Sequence, residues 1–190
     1  MSQPPVIDLT RATRGNYVAA RGLLTQVAWF IIEACIIHNR LLPLSSVRVG
    51  LLRLFGARIG RNCRMPHAIR VKYPWYLQIG DNCWIGDEVW IYNQAMIRVG
   101  SNVCISQRTF LSAGSHNVAT NMDLHVAPID IEDGVWISSG CVVQMGLTIG
   151  RSAVVTPLSV VHKSLEPGAI YGGNPCKFIK RRFDEPPQAP

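Results

Sequence analysis

Two histidines stand in a polar stretch in the middle of an otherwise apolar, regularly patterned chain. The stretch reads LSAGSHNVATNMDLHVAP over residues 111–128 and contains His116 and His125. Imidazole is the side chain best suited to take a proton near neutral pH, although a loop histidine can also be bonded to nearby backbone without a chemical role. His116 is the better catalytic candidate because it closes the six-residue unit LSAGSH, where the polar loop leaves the regular pattern.

The composition predicts a globular protein with a substantial core. The chain has 190 residues, of which 48% are hydrophobic and 16% charged, which argues against disorder. The formal net charge of +7 favours anionic partners, but the basic residues are dispersed except for KFIKRR at 177–182. A phosphate group on a small molecule accounts for this charge as well as nucleic acid does, and we expect no nucleic-acid partner.

The cysteines and the N-terminal region indicate a cytoplasmic protein. The six cysteines form neither a CxxC pair nor a zinc-type cluster, so we expect reduced cysteines that pack as small apolar residues. The first 17 residues lack the design of a signal peptide. Residues 23–44 are apolar but are interrupted by Gln26, Glu33 and His38. They predict one amphipathic helix, packed on the protein body or lying on the inner face of a membrane.

A six-residue period dominates the rest of the chain. It is visible in IEDGVW, ISSGCV and VQMGLT from residue 131, and in IGDNCW and IGDEVW from residue 79. A six-residue unit cannot bury its aliphatic position alone, so successive units must stack into a β-solenoid. Aliphatic and similar positions recur every twenty residues early and every eighteen later, at Ile59, Ile79 and Val99 and then at Ile131, Ile149 and Pro167. Three units per coil, with two-residue insertions in the early coils, predict a triangular prism.

Longer motifs make the pattern specific. VWIS, GLTIG and the closing YGGNPCKFIKRR resemble the left-handed β-helix hexapeptide-repeat acyltransferases, while LLRLFGARIG and ISQRTFLSAGSHN resemble their colanic-acid and exopolysaccharide sugar O-acetyltransferases. The resemblance implies an all-β solenoid, a left-handed parallel β-helix with an N-terminal amphipathic helix and a short C-terminal tail. It implies an N-terminal extension over 1–50, a β-helix domain over 51–182 with a loop at 116–130, and a flexible tail over 183–190.

The same resemblance implies an enzyme and its co-substrate. We expect an O-acetyltransferase that moves an acetyl group from acetyl-CoA to a sugar hydroxyl in exopolysaccharide or related glycan biosynthesis. Members of the family are homotrimers with active sites between subunits, and His116 takes the position of their catalytic base. The positions that match contacts to coenzyme A are Trp136, Ser139, Pro157, Lys163, Lys177 and Lys180. Pro157 stands where many relatives have a small residue, and it has no backbone N–H to donate.

The acceptor side and the alternatives rest on fewer residues. Amide and carboxylate groups suit the recognition of sugar hydroxyls, and Asn93, with Asp87 and Tyr92 nearby, lies about one coil before His116. His125 has no counterpart in the family and is assigned no role.

Three other functions remain to be distinguished. A zinc enzyme of the carbonic anhydrase type would need His67, His116 and His125 as ligands, but their spacing is unfavourable, and we expect no metal. A non-catalytic hexapeptide scaffold is a second alternative, which the presence of His116 disfavours. The third is the same transfer to another hydroxyl or amine acceptor.

Overall fold

The structure is a computed structural model that describes residues 3–183, so residues 184–190 of the predicted C-terminal tail lie outside it. Two helices precede the strands: α1 (Leu23–Ile32), which continues into a π-helical turn (Glu33–Ile37), and α2 (Ser45–Leu54). Short 3₁₀ turns occupy Leu9–Arg11 and Pro74–Tyr76. The strands are β1 (Arg58–Ile59), β2 (Arg70–Val71), β3 (Leu77–Ile79), β4 (Trp84–Ile85), β5 (Trp90–Tyr92), β6 (Ile97–Val99), β7 (Cys104–Ile105), β8 (Phe110–Ser112), β9 (Gly114–His116), β10 (Leu124–Val126), β11 (Ile129–Ile131), β12 (Trp136–Ile137), β13 (Val142–Val143), β14 (Leu147–Ile149), β15 (Val154–Val155), β16 (Val160–Val161), β17 (Ala169–Gly172) and β18 (Lys177–Arg181).

The strands form the three faces of a prism. Face A has the order β1-β3-β6-β11-β14, face B has β4-β7-β12-β15-β17-β18, and face C has β2-β5-β8-β13-β16. All neighbours within a face are parallel except β17 and β18, which are antiparallel. The chain visits face B, face C and face A in turn, which is the stacked triangular coil that the six-residue period predicts.

The core is a stack of aliphatic side chains inside the prism. On face A, Ile79 pairs with Val99, Val99 with Ile131, and Ile131 with Ile149, and all four are buried. Each of these face A strands therefore contributes this inward residue, together with a second buried residue two positions earlier, to columns shared with its neighbours. Burial of one such side chain is worth about 1.5–3 kcal/mol, so the stability of a coil depends on the coils on either side of it.

Glycine follows the inward residue on four of the five face A strands, where adjacent coils approach closely. A Cβ on Gly80 would lie 2.7 Å from both the Gly100 carbonyl carbon and the Ser101 nitrogen. The corner itself is turned two residues later, at Asn82 and its equivalents Asn62 and Asn102, whose φ values of 56–58° are left-handed. Asparagine tolerates this conformation better than most residues.

The N-terminal region differs from the single predicted helix over 23–44. The helical segment ends at Ile37, and residues 45–54 form a second helix that spans the predicted domain boundary between residues 50 and 51. The buried Arg48 of α2 explains the break, because its guanidinium donates to the carbonyls of Ile37 (2.9 Å), Asn39 (2.6 Å) and Pro66 (2.6 Å). These bonds satisfy carbonyls at the end of the first helix and join both helices to the first coil.

Helix α1 has one buried and one exposed apolar side. Trp29 is buried, packs on Phe55 at 5.2 Å between ring centroids, and donates its indole N–H to the Val71 carbonyl (2.9 Å). On the other side, Leu24 is 87% and Phe30 69% exposed. No helix within residues 3–183 combines the length and the apolar character needed to cross a bilayer.

The last coil is two residues shorter than predicted. Leu165, not Pro167, pairs with Ile149 on face A. Leu165 donates its backbone N–H to the Thr148 carbonyl (2.9 Å) and accepts from Gly150 N–H (2.9 Å). Proline has no N–H for such a ladder position, so the alignment of Pro167 with the aliphatic column is wrong.

The polar stretch is an ordered β-hairpin that leaves the corner between faces C and A. β9 and β10 pair antiparallel, with His116 opposite Leu124 and His125 opposite Ser115. The predicted unit LSAGSH is therefore wrong in its second half, since the coil stops at the buried Ala113 and Gly114 already belongs to the hairpin. A Cβ at Gly114 would lie 2.6 Å from the side-chain oxygen of Gln94, so a larger residue where the hairpin departs would require the Gln94 side chain to shift.

Candidate active site

His116 has one ring nitrogen fixed by the hairpin and the other free. Its Nδ1 lies 2.9 Å from the carbonyl oxygen of Met122. A carbonyl oxygen only accepts, so Nδ1 carries a hydrogen, and in the neutral imidazole Nε2 therefore carries the lone pair. Nε2 has no hydrogen-bond partner within residues 3–183, and the side chain is exposed. The imidazole is thus held in the tautomer that a general base needs.

The tip of the hairpin fixes the Met122 carbonyl. Met122 has a left-handed φ of 58°, and its N–H donates to the Asn117 carbonyl (3.1 Å). Asn117 N–H in turn donates to the Asp123 carbonyl (2.9 Å), and Val118 N–H to the His116 carbonyl (2.9 Å). The partner of the His116 ring is therefore set by a closed turn.

A groove runs along the corner between faces B and C. It has a volume of about 790 Å³ and contains Asp87, Ser139 and Pro157, three of the predicted site residues. Ser139 is well placed to donate there, because neither its hydroxyl nor its backbone N–H has a partner within the described chain. Pro157 lies at the same corner in the following coil and has no N–H to donate. The groove can accept an extended ligand, and Ser139 is one free donor in it.

One wall of the groove is an ion-pair cluster that the sequence predictions did not include. Glu88 contacts Arg40 and also Arg108, with 2.9 Å between the Arg108 Nε and the carboxylate. His67 lies in the same groove, and its Nδ1 is buried without a hydrogen-bond partner in the described residues. Glu88 and Arg108 are one twenty-residue coil apart, so the period itself is the signal that could have paired them.

The remaining predicted coenzyme A residues lie on two different parts of the prism. Trp136 is 46% exposed on face B and donates its indole N–H to the Ser106 hydroxyl (3.0 Å). Lys177 and Lys180 lie on β18, the edge strand of this face, and pair with Gly172 and Ile170 of β17. Lys163 instead follows β16 and lies between faces C and A. All three lysines are exposed.

Two of the predicted acceptor residues are already bonded within the chain. Asn93 is fully buried, its side-chain oxygen accepts from Tyr73 N–H (3.0 Å), and its amide donates to the Tyr73 carbonyl (2.6 Å). It therefore joins two coils, and the predicted contact between Asn93 and an acceptor is corrected to this structural role. The Tyr92 hydroxyl is partly buried and accepts from Lys72 Nζ (3.2 Å). Asp87 alone of the three lies in the groove.

The prism separates His116 from the groove. The hairpin leaves the corner between faces C and A, whereas Ser139 and Pro157 lie at the corner between faces B and C. Trp136 lies on face B. One chain thus carries two halves of the predicted site on different corners.

Comparison with known proteins assigns the family. No family model matches the chain. The chain is 36% identical over 157 residues to the putative colanic acid biosynthesis acetyltransferase WcaF of Escherichia coli K12, an alignment that covers 82% of this chain and 86% of WcaF. The hexapeptide-repeat acetyltransferase VCA0836 of Vibrio cholerae has a TM-score of 0.76 and 26% identity, covering 87% of this chain and 96% of that one. The chain belongs to the hexapeptide-repeat acetyltransferases.

A second relative supports the family assignment. The galactoside O-acetyltransferase of Escherichia coli K12 is 29% identical over 141 residues, which is 72% of this chain and 70% of that protein. VCA0836 has also been solved in complex with acetyl coenzyme A. The predictions of a left-handed parallel β-helix and of an acyltransferase are confirmed.

The alternative zinc site is not assembled in this acetyltransferase chain. His116 and His125 point to opposite sides of the hairpin, because alternate residues of a strand do so and His125 pairs with Ser115. Within residues 3–183, no group of three or more histidine, cysteine or acidic side chains could hold a metal ion.

Proposed function

We propose that the protein transfers an acetyl group from acetyl-CoA to a hydroxyl group of a sugar in exopolysaccharide or related glycan biosynthesis. The observation that carries this proposal is the exposed His116, with Nδ1–H bonded to Met122 and the Nε2 lone pair free. The relatives support the substrate class, since WcaF is named for colanic acid biosynthesis and the second relative for galactoside O-acetylation.

The transfer proceeds by direct attack without an acyl-enzyme. The sugar oxygen forms a bond to the thioester carbonyl carbon while its proton passes to His116 Nε2. The carbonyl oxygen becomes an oxyanion, for which the hydroxyl and backbone N–H of Ser139 are donors. Collapse of this intermediate breaks the carbon–sulfur bond, and the coenzyme A thiolate leaves and takes the proton back from the imidazolium. Trp136 supports the pantetheine arm, and Lys163, Lys177 and Lys180 meet the phosphates of the nucleotide.

Mass spectrometry of the native host's surface polysaccharide, with and without the gene, tests this function. We expect one O-acetyl group per repeat unit to be lost on deletion and restored by complementation. An unchanged polysaccharide would contradict the glycan acceptor and favour another small hydroxyl or amine acceptor.

The active site is formed between subunits of a homotrimer. The separation of His116 from Ser139 on two corners of one prism supports this arrangement, because a neighbouring prism can bring the missing half. Co-expression of an H116A chain with an S139W chain, in which the groove is blocked, tests it. Mixed trimers should recover activity that neither variant has alone, and no recovery would place the whole site in one chain.

The outer stripe of α1 binds the cytoplasmic surface of a membrane. Leu24 and Phe30 lie on one exposed side of α1, and the exposed Arg14 and Arg21 precede it. An apolar stripe with neighbouring arginines suits anionic lipid. Co-sedimentation with anionic rather than neutral vesicles should be lost in F30E and retained in Q26E. Vesicle-independent self-association that F30E abolishes would instead assign the stripe to a second copy.

The protein is located in the cytoplasm, which supplies both acetyl-CoA and the reducing conditions that free thiols require. All six cysteines are free, and Cys83, Cys141 and Cys176 are buried. A tagged chain that fractionates outside the cytoplasm and the inner membrane face would contradict this location.

A further inference from the structure

A short N-terminal segment, residues 13–16, lies along the free edge of the hairpin strand β10. Leu124 N–H donates to the Thr13 carbonyl (3.1 Å), and Thr13 N–H donates to the Asp123 carboxylate (2.7 Å). Asn16 adds two bonds to Val126, which lies 110 residues further along the chain. We call residues 13–16 the N-terminal strap.

The side chain of Asn16 pairs with the backbone of β10 as a neighbouring strand would. Its amide donates to the Val126 carbonyl (2.9 Å), and its side-chain oxygen accepts from Val126 N–H (2.8 Å). β9 and β10 form a two-stranded sheet, and a sheet of this size is marginal by itself. The strap therefore provides hydrogen-bond partners on the outer edge of β10 for the N–H of Leu124 and for both backbone groups of Val126.

The next residues fasten the strap to the prism. Tyr17 stacks on Tyr73 with 6.3 Å between ring centroids, and the Tyr76 hydroxyl donates to the Val18 carbonyl (2.8 Å). Tyr73 precedes the 3₁₀ turn that leads into the face A strand β3. The hairpin is thus connected to the rigid body of the protein through the strap as well as through its own two ends.

Gly15 makes the close approach between strap and hairpin feasible. It has a left-handed φ of +51°, and a Cβ at this position would lie 1.8 Å from the Leu124 carbonyl oxygen. That oxygen belongs to backbone, so it cannot move away without moving the hairpin. Any other residue at position 15 must displace the strap or strain it.

The contacts of the strap converge on the partner of the His116 ring. Met122, whose carbonyl receives the His116 Nδ1–H, directly precedes Asp123, which accepts from Thr13 N–H. The hydrogen bonds of Thr13 also lower the pKa of Asp123. Leu124, the other strap partner, is opposite His116 in the hairpin. Displacement of the strap would therefore move the acceptor that fixes the imidazole.

We infer that the N-terminal strap positions the general base: Gly15 and Asn16 hold the hairpin so that Met122 keeps His116 in its Nδ1–H form with Nε2 free. This inference rests on the proposed role of His116. Gly15 and Asn16 are positioning residues, because they touch the hairpin and not the reacting atoms. The strap thus gives the N-terminal extension a function in catalysis that is separate from any contact with a membrane.

The tautomer of His116 tests the inference without any acceptor. Long-range ¹H–¹⁵N spectra of the full-length, ¹⁵N-labelled protein distinguish Nδ1–H from Nε2–H imidazole. We expect one Nδ1–H species for His116 in the wild type and in the matched control G22A, since a Cβ at Gly22 meets nothing within 4 Å. G15A and N16A should show both tautomers, and N16D, which keeps the acceptor but loses the donor, should be intermediate. An unchanged Nδ1–H signal in folded G15A and N16A would overturn the inference.

Acetylation in the native host separates a positioning role from a general loss of structure. Complementation with G15A should lower the O-acetyl content of the surface polysaccharide about tenfold or more, because a displacement of about 1 Å can cost 10²-fold in rate. Binding of acetyl-CoA, measured by calorimetry, should be unchanged, since the groove lies at another corner. G15A should cause no further loss in an H116A background. An additional loss there would show that the strap acts elsewhere, whereas full acetylation by H116A would refute the proposed function itself.

Discussion

Replacing Asn93 with alanine should destabilise the protein without a selective effect on the acceptor. Asn93 is fully buried and makes two hydrogen bonds to the backbone of Tyr73. Alanine leaves the Tyr73 N–H without a partner, at about 1–3 kcal/mol for a fully buried group, whereas the Tyr73 carbonyl still accepts from Tyr76 N–H (3.0 Å). Tyr73 is partly exposed, so the lower part of this range applies, and N93A should lose about 1–2 kcal/mol of unfolding free energy.

Urea denaturation and thermal unfolding at one fixed protein concentration measure this loss. For a chain of this size, 1 kcal/mol corresponds to about 2–4 °C, so the midpoint should fall by roughly 2–8 °C. Q144A is the matched control, because Gln144 is exposed and its side-chain amide has no hydrogen bond within residues 3–183. If N93A were as stable as Q144A and the wild type but had a raised KM for the acceptor, the structural role would be refuted and the acceptor contact restored.

Three further outcomes follow from burial and steric fit. In native protein at pH 8, a thiol reagent should modify the exposed Cys35 but not the buried Cys83, because burial raises the pKa of Cys83 to about 11 and keeps its thiol protonated. Labelling of Cys83 before unfolding would contradict its burial. Burial also raises the pKa of Glu33, so the charged carboxylate opposes folding, and E33Q should be more stable than the wild type at neutral pH. In denaturation at pH 4 this gain should disappear because Glu33 becomes protonated, and a gain independent of pH would refute the effect of burial. G80A should lower the melting temperature, since its Cβ would clash with the next coil, whereas G50A, in open space within α2, should raise the unfolding free energy by about 0.5–1 kcal/mol. Equal effects of both changes would contradict the close packing of coils.

The sequence predicts the prism well because each coil repeats the same local requirement. Inward aliphatic residues recur after twenty residues at Ile79 and Val99 and after eighteen at Ile131 and Ile149, so each series can be aligned without knowledge of the structure. The pairing of Val99 with Ile131 across the hairpin comes from the structure. The prediction is wrong where a single backbone atom decides the register. Pro167 fits the interval but has no N–H, and Leu165 takes its place.

The candidate site was harder to predict because its contacts join distant parts of the chain. The position of His116 at the edge of the prism follows from the motif, but its tautomer depends on Met122, and the hairpin that carries both begins at Gly114. Asn93 has the chemistry of a sugar ligand, and only its burial against Tyr73 reveals another use. No local pattern signals the contact between the strap and β10, since those residues lie about 110 positions apart.

The helices show the same limit. Apolar residues over 23–44 predict a helix, yet its end is set by Arg48, which lies beyond that segment and binds the carbonyls of Ile37 and Asn39. Hydropathy describes each residue separately, whereas a helix end is fixed by the partner that its last carbonyls find.

The most direct test of the account compares H116A with H125A. Both histidines are exposed on the same hairpin but on opposite sides of it, so H125A controls for any general disturbance of the hairpin. H116A should lower acetyl transfer by about two to four orders of magnitude, the range expected for loss of a general base, while acetyl-CoA binding by calorimetry is retained and H125A stays close to the wild type. Wild-type turnover in H116A, or an equal loss in H125A, would contradict the assignment of His116 as the catalytic base.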